Sequence, residues 1–140
     1  MFDIFGIKKR KNKLEEEIKM AMLTAWAYEL DEIKEWNEET FPDATLSGQL
    51  AKLEEEFKEF YKAEEVDEKE KELADIFIVL GGLRRWESYV GRFIEDKFAE
   101  EMHFCVIGSL LDAIKKKMKI NRKRVWKKSG DGKFHHTNKE

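Results

Sequence analysis

Two pairs of acidic residues with equal spacing are the part of the sequence best suited to chemistry. Glu56 and Glu59 form the first pair, and Glu72 and Asp75 form the second after a connection of twelve residues. Residues three positions apart lie on one side of a helix, so each pair presents both of its carboxylates together. We expect two helices joined by a short turn to pack antiparallel and to bring all four carboxylates together.

Asp75 has the most apolar surroundings of these acids. Apart from Glu72, it is the only ionisable side chain in the segment ELADIFIVLGG. Desolvated carboxylates are costly and repel one another at short distance, whereas Mg²⁺ or Mn²⁺ with oxygen ligands relieves both effects. The pattern therefore predicts a metal site open to a phosphate-bearing substrate. A cation such as Arg84 or Lys117 could instead neutralise Asp75, but the other acids would then be unexplained.

The helices that must position these acids follow from the spacing of the apolar residues. This spacing is helical over most of the chain, and the third helix is apolar nearly all round, which places it at the centre. We predict an all-α fold, an antiparallel four-helix bundle-like domain that covers residues 1–140. The predicted helices are 13–39, 48–63, 67–89 and 96–119, with an N-terminal extension over 1–12 and a loose tail over 129–140.

The overall composition is typical of a helical cytoplasmic protein. Hydrophobic and charged residues each make up 41% of the sequence, with a single proline, which favours helices. The only cysteine, Cys105, excludes an intramolecular disulfide and fits a reducing compartment. No apolar run reaches the length of about 20 residues that a membrane span needs, so we expect a soluble, cytoplasmic chain outside the membrane. Residues 115–128 hold nine Lys or Arg and are suited to anions.

The order of the acidic motifs resembles that of a known family. The pattern EExxE followed by ExxD, here Glu55, Glu56 and Glu59 and then Glu72 and Asp75, is similar to the signature of the MazG-like all-α NTP pyrophosphohydrolases. The segment WNEETFPDATLSGQLAKLEEEFKEF resembles the approach to the first motif, and KMKINRKRVW resembles the closing segment. The likeness covers residues 26–126.

This resemblance implies an Mg²⁺-dependent enzyme, with Mn²⁺ able to replace Mg²⁺. The reaction cleaves a nucleoside or deoxynucleoside triphosphate between its α and β phosphates into the monophosphate and pyrophosphate. Glu56, Glu59, Glu72 and Asp75 match the metal ligands of the family. Glu55 matches an accessory acid that orients or activates water, which makes Glu55 and Glu56 the candidate catalytic pair.

The resemblance also implies which residues bind the substrate. Lys117, Asn121 and Arg124 match contacts to the phosphates and the sugar. Aromatic contacts to the base are placed just upstream of the acids, where Trp36 is the main candidate. Further candidates for the same pocket are Phe41, Trp26, Gln49 and Lys52. Members of the family form dimers or dimers of dimers, so a homodimer or homotetramer is expected.

Two other classes of protein fit parts of the sequence. A di-iron carboxylate bundle would use the ExxH motif of Glu100 and His103, but such bundles need two of these motifs and the chain has one. A non-catalytic helical module could bind nucleotide or nucleic acid through the basic segment 115–128. All five acids of the motif are present, which favours the enzyme. The expected partner is therefore a nucleoside triphosphate and not nucleic acid.

Overall fold

Four long helices, one short helix and a β-hairpin make up the described part of the protein. A computed structural model describes residues 4–87, 92–97, 104–128 and 134–136. The helices are α1 (Ile4–Thr40), α2 (Leu46–Lys62), α3 (Val66–Leu83), α4 (92–97) and α5 (Phe104–Asn121), with a 3₁₀ turn at Arg84–Trp86. Strands β1 (Trp126–Lys128) and β2 (Phe134–His136) pair antiparallel. The predicted all-α, bundle-like fold is confirmed, and the hairpin is an addition to it.

In the described residues, two terminal regions contain structure that the sequence did not predict. The predicted N-terminal extension over 1–12 is already helical from Ile4, because α1 begins there and continues to Thr40. The predicted loose tail over 129–140 contains Phe134–His136, which pair with β1. The ring of Phe134 packs against the core, a contact between distant parts of the chain that local sequence patterns do not reveal.

Two predicted helix boundaries also differ from the structure. The third predicted helix, 67–89, ends at Leu83 because the chain tightens into the 3₁₀ turn, and Glu87 follows with a left-handed φ of 51°. The fourth, 96–119, corresponds to the end of α4 together with α5. The segment between α4 and α5, with Glu100 and His103 of the ExxH motif, lies outside the described residues.

Helix α3 occupies the centre of the fold, as its apolar sequence predicts. It packs against α1, α2 and α5, and Ile76, Phe77 and Leu80 are fully buried. Trp26 of α1 meets Phe77 edge-on, with ring centroids 4.5 Å apart. Burial of each such side chain stabilises the fold by about 1.5–3 kcal/mol. Of the helices in the described ranges, none combines the length and the apolar character that a membrane crossing requires.

Helices α1 and α3 approach closely at two glycines. A Cβ atom on Gly81 would lie 2.6 Å from Cγ2 of Ile33, and one on Gly82 would lie 2.6 Å from Nδ2 of Asn37. Atoms at such distances would overlap, so a side chain at either position would force Ile33 or Asn37 to move. The close approach holds the second acid-bearing helix against α1.

Arg85 ties the connection between α1 and α2 to the end of α3. Its Nη1 donates to the backbone oxygen of Phe41 at 2.8 Å and to Oδ1 of Asn37 at 3.0 Å. Thr45 then caps α2, because its hydroxyl accepts a hydrogen bond from the backbone N–H of Gly48 at 3.1 Å. Phe41 and the start of α2 are thereby fixed relative to α3.

Candidate active site

Three of the predicted metal ligands converge between α2 and α3. Only residues 63–65 connect these helices, and an oxygen from each of Glu56, Glu59 and Glu72 lies within 4.8 Å of the others. Glu56 is buried, Glu72 is half-buried and Glu59 is exposed. Asp75 is not in this group but lies one helical turn beyond Glu72, and its charge acts on both Glu56 and Glu72. The structure thus gathers three of the four carboxylates tightly and places the fourth beside them.

Burial makes two carboxylates of this cluster, those of Glu56 and Glu72, hard to ionise. Burial raises the pKa of Glu56 to about 8, the charge of Asp75 adds to the shift, and Lys52 opposes it. Burial, followed by Asp75 and Glu59, raises the pKa of Glu72 to about 7. Oε2 of Glu56 and Oε2 of Glu72 are buried, and neither has a hydrogen-bond partner in the described part of the chain. Buried acceptors of this kind fit a hard divalent cation.

Two lysines balance part of the negative charge. Nζ of Lys52 lies 3.3 Å from Oε1 of Glu56 and 4.0 Å from Oε1 of Glu55. Nζ of Lys117 lies 3.4 Å from Oδ1 of Asp75. Burial raises the pKa of Asp75, and Lys117 opposes this shift. Among the described residues Lys117 is therefore the ion-pair partner of Asp75, and the charge of Lys52 acts in the same direction.

Arg84, the other cation considered for Asp75, pairs elsewhere. Its guanidinium donates to Oε1 of Glu95 at 2.7 Å and to Oδ1 of Asp31 at 2.7 Å. Burial alone would lower the pKa of Arg84, but the hydrogen bonds and charges of these two acids outweigh it and raise the pKa. The contacts join the 3₁₀ turn to α4 and α1, so Arg84 serves the fold and not the acid cluster.

The acid cluster opens into a cavity of about 410 Å³. This volume falls within the range of about 300–1,000 Å³ that is usual for small-molecule sites. All four long helices and the hairpin contribute side chains to it. Eight of the ten predicted site residues line it, namely Trp36, Lys52, Glu56, Glu59, Asp75, Lys117, Asn121 and Arg124. The other two adjoin them, since Glu55 contacts Lys52 and Glu72 belongs to the carboxylate cluster.

The turn after α5 directs polar groups to the same cavity. Asn121 is buried, and its Oδ1 accepts a hydrogen bond from Nη1 of Arg124 at 3.0 Å. Nε1 of Trp126 donates to the backbone oxygen of Asn121 at 3.1 Å. Burial lowers the pKa of Arg124 and the charge of Asp75 opposes the shift, but arginine stays charged at neutral pH. The end of α5 therefore adds a cation and an amide to the cavity.

A continuous cluster of rings also lines the cavity, and we call it the aromatic wall. Its members are Trp36, Phe41, Trp126, Phe134 and His136. The ring centroids of Phe41 and Phe134 lie 4.4 Å apart, and those of Trp126 and His136 lie 5.9 Å apart. The sequence predicted Trp36 and Phe41 as base contacts and included Trp126 in the closing segment KMKINRKRVW, but it did not predict that Trp126, Phe134 and His136 form a hairpin beside them. The alternation of side chains along two strands of three residues is a weak signal for this hairpin.

The remaining base-pocket candidates fall in two places. Gln49 is buried and lines the cavity, as expected. Trp26 lies in the core, 5% exposed and packed on Phe77, so the assignment of Trp26 to the base pocket is wrong. The physical reason is that Trp26 lies on the face of α1 that packs against the middle of α3, whereas Trp36 lines the cavity.

The chain is similar in structure to a cyanophage S-2L MazG-like pyrophosphohydrolase bound to dGDP and three catalytic Mn²⁺ ions per active site. The two sequences are 25% identical, and the match covers 82% of this chain and 95% of the phage chain with a TM-score of 0.38. No family model matches the chain, and no curated protein matches its sequence.

Proposed function

We propose that the protein is a nucleoside triphosphate pyrophosphohydrolase that uses Mg²⁺, or Mn²⁺ in its place. It would cleave NTPs or dNTPs into the monophosphate and pyrophosphate. The observation that carries this proposal is one cavity that combines a carboxylate cluster, cations and aromatic rings. This combination suits a nucleoside triphosphate, because metal ions and cations balance its charge and a flat apolar surface accepts its base.

The acidic side of the cavity supports binding of a divalent metal ion. Glu56, Glu59, Glu72 and Asp75 are the residues that would hold it, and the buried Oε2 atoms of Glu56 and Glu72 are suitable ligands. When bound, Mg²⁺ supplies screening of the triphosphate charge and activation of the attacking water. Glu55 and Glu56 are the candidates to orient that water and to accept its proton.

The cations of the cavity are suited to the phosphate chain. Lys52 and Lys117 contact carboxylates in this structure, and their flexible side chains can turn toward a bound phosphate. Arg124 has a planar guanidinium that can contact two phosphate oxygens at once. These groups would stabilise the charge that develops on the departing pyrophosphate. Asn121, which accepts a hydrogen bond from Arg124, is the candidate contact to the sugar.

The base would lie against Trp36 and Phe41. Their rings meet edge-on with centroids 5.3 Å apart, and both side chains line the cavity. Gln49 adds a buried amide that can donate and accept hydrogen bonds. This arrangement provides the few polar groups within an apolar surround that a base site needs.

A substrate panel with separate product assays tests the proposal. The panel contains canonical and damaged ribo- and deoxynucleoside triphosphates with Mg²⁺, and both monophosphate and pyrophosphate are quantified. We expect equal amounts of the two products, none in EDTA, and recovery with Mn²⁺. Release of single phosphates, or no turnover of any nucleotide, would overturn the proposal. A helical nucleic-acid-binding module would instead release no pyrophosphate and bind nucleic acid with an affinity that falls steeply with salt.

A further inference from the structure

We propose that the hairpin of β1 and β2 is the specificity element of the cavity. Its aromatic face would contact the base, so that the protein acts on nucleotides and not on inorganic polyphosphate. This inference rests on the proposed function, because it assigns a partner to the hairpin within the same cavity. The residues that carry it are Trp126, Phe134 and His136, which belong to neither the acids nor the cations of the site.

Strand pairing places these three side chains on one face. Trp126 and His136 are direct cross-strand partners, so their side chains lie on the same side of the hairpin. Phe134 precedes His136 by two residues and shares that side, because successive side chains in a strand alternate. Lys127 lies on the opposite face and is exposed. The aromatic face is the one that reaches the cavity, since all three of its rings line it.

The same face holds the hairpin on the bundle. Phe134 packs on Phe41 with ring centroids 4.4 Å apart, and Trp126 lies 5.3 Å from Phe41 and 6.1 Å from Trp36. A two-stranded hairpin is only marginally stable by itself, so its position depends on these contacts. Trp126 and Phe134 are half-buried and His136 is exposed, which leaves part of the ring surface open to a ligand.

A nucleobase is the ligand that would cover this open surface. Bases stack on aromatic side chains through their flat π surfaces, whichever base is present, and a polyphosphate chain has no such surface. Lys117 and Arg124 line the same cavity, so a triphosphate held by these cations would bring its own base to the aromatic wall. Contact with the hairpin would then add affinity for nucleotides alone.

Matched variants on the two faces of the hairpin test this role. We expect Trp126→Ala and Phe134→Ala to raise KM for a dNTP about 5- to 100-fold, as loss of one base stack does, with a much smaller change in kcat. Trp126→Phe should restore most of the affinity. Lys127→Ala, on the opposite face, should leave both constants unchanged.

Inorganic tripolyphosphate separates base contact from damage to the whole site. As a competitive inhibitor it should bind the wild-type protein and the aromatic variants equally, because it has no base. An equal loss of tripolyphosphate and dNTP affinity, or an unchanged KM in both alanine variants, would overturn the inference. Phe134→Leu keeps an apolar contact with Phe41 but removes the ring, so it replaces Phe134→Ala if that variant does not fold.

Binding of a non-hydrolysable dNTP analogue keeps this inference distinct from the proposed reaction. The analogue should quench tryptophan fluorescence, Trp126→Phe should reduce the quenching, and tripolyphosphate should cause none. If the aromatic variants weaken analogue binding while no substrate yields pyrophosphate, the reaction is wrong and the role of the hairpin stands. If pyrophosphate is released but analogue affinity is unchanged in these variants, the reaction stands and the role of the hairpin is wrong.

Discussion

Replacement of Glu56 by glutamine should stabilise the metal-free protein and remove its response to metal. Burial, aided by the charge of Asp75, raises the pKa of Glu56 to about 8 from an ordinary value of 4.5. Between these values the folded protein binds a proton that the unfolded chain has lost, so the free energy of unfolding falls as the pH rises. Glutamine is neutral at every pH, so the free energy of unfolding of the variant does not fall for this reason.

The size of the effect follows from the two pKa values. Each pH unit between them lowers the free energy of unfolding by about 1.4 kcal/mol for one group. At pH 7 the free energy of unfolding of the wild-type protein should be lower than that of the Glu56→Gln variant by up to about 3 kcal/mol, and above pH 8 by up to about 5 kcal/mol. Near pH 4, below both values, the two proteins should be equally stable.

Urea denaturation in EDTA at about pH 5, 7 and 8.5 measures this difference. Addition of millimolar Mg²⁺ should stabilise the wild-type protein, because the ion binds the native state, and should change Glu56→Gln little. Glu54→Gln is the matched control, since Glu54 is 70% exposed and pairs with Lys58 on the same helix. A Glu56→Gln protein that is less stable than wild type in EDTA at the highest pH, or that responds equally to Mg²⁺, would refute the reasoning.

Three further predictions concern the same cavity and its supports. Asp75→Asn keeps the shape of the side chain but removes its charge, so turnover should fall about 100-fold or more with weaker Mg²⁺ binding by calorimetry; unchanged activity would contradict the metal assignment. Gly81→Ala should lower the free energy of unfolding by about 1–3 kcal/mol, because its Cβ would meet Ile33 at 2.6 Å. Helix propensity alone would raise the free energy of unfolding, so a more stable variant would contradict this prediction. Arg84→Met should lower the free energy of unfolding by about 1 kcal/mol, because it removes the ion pair with Glu95. The loss should be smaller in high salt, and urea denaturation at two salt concentrations measures both values.

The acidic half of the site was predictable because its ligands are close in the sequence. Glu56 and Glu59 share one helix and Glu72 the next, so helical periodicity and a short connection were enough to bring them together. The choice of Lys117 over Arg84 as the partner of Asp75 was not predictable. It depends on how α5 and α4 dock on the bundle, which no local spacing encodes.

The hairpin could not be predicted for a related reason. Strands of three residues carry too little alternation to stand out from a polar tail. What holds Phe134 and Trp126 in place is Phe41, which lies far earlier in the chain. Trp26 and Trp36 show the same limit, since both have helical spacing and only the packing of α1 on α3 decides which one is core.

The two acid-bearing helices, α2 and α3, are consecutive in the sequence, whereas Lys117 belongs to α5, which lies later in the chain. Contacts between sequence neighbours form faster than contacts between distant segments. During refolding the carboxylates of α2 and α3 should therefore meet with Lys52 beside them but before Lys117 is in place, and their remaining repulsion should slow that step. A divalent ion in the buffer would reduce this repulsion and speed the step. The acidic charge that suits the cavity to a metal ion would therefore also make the folding rate depend on divalent ions.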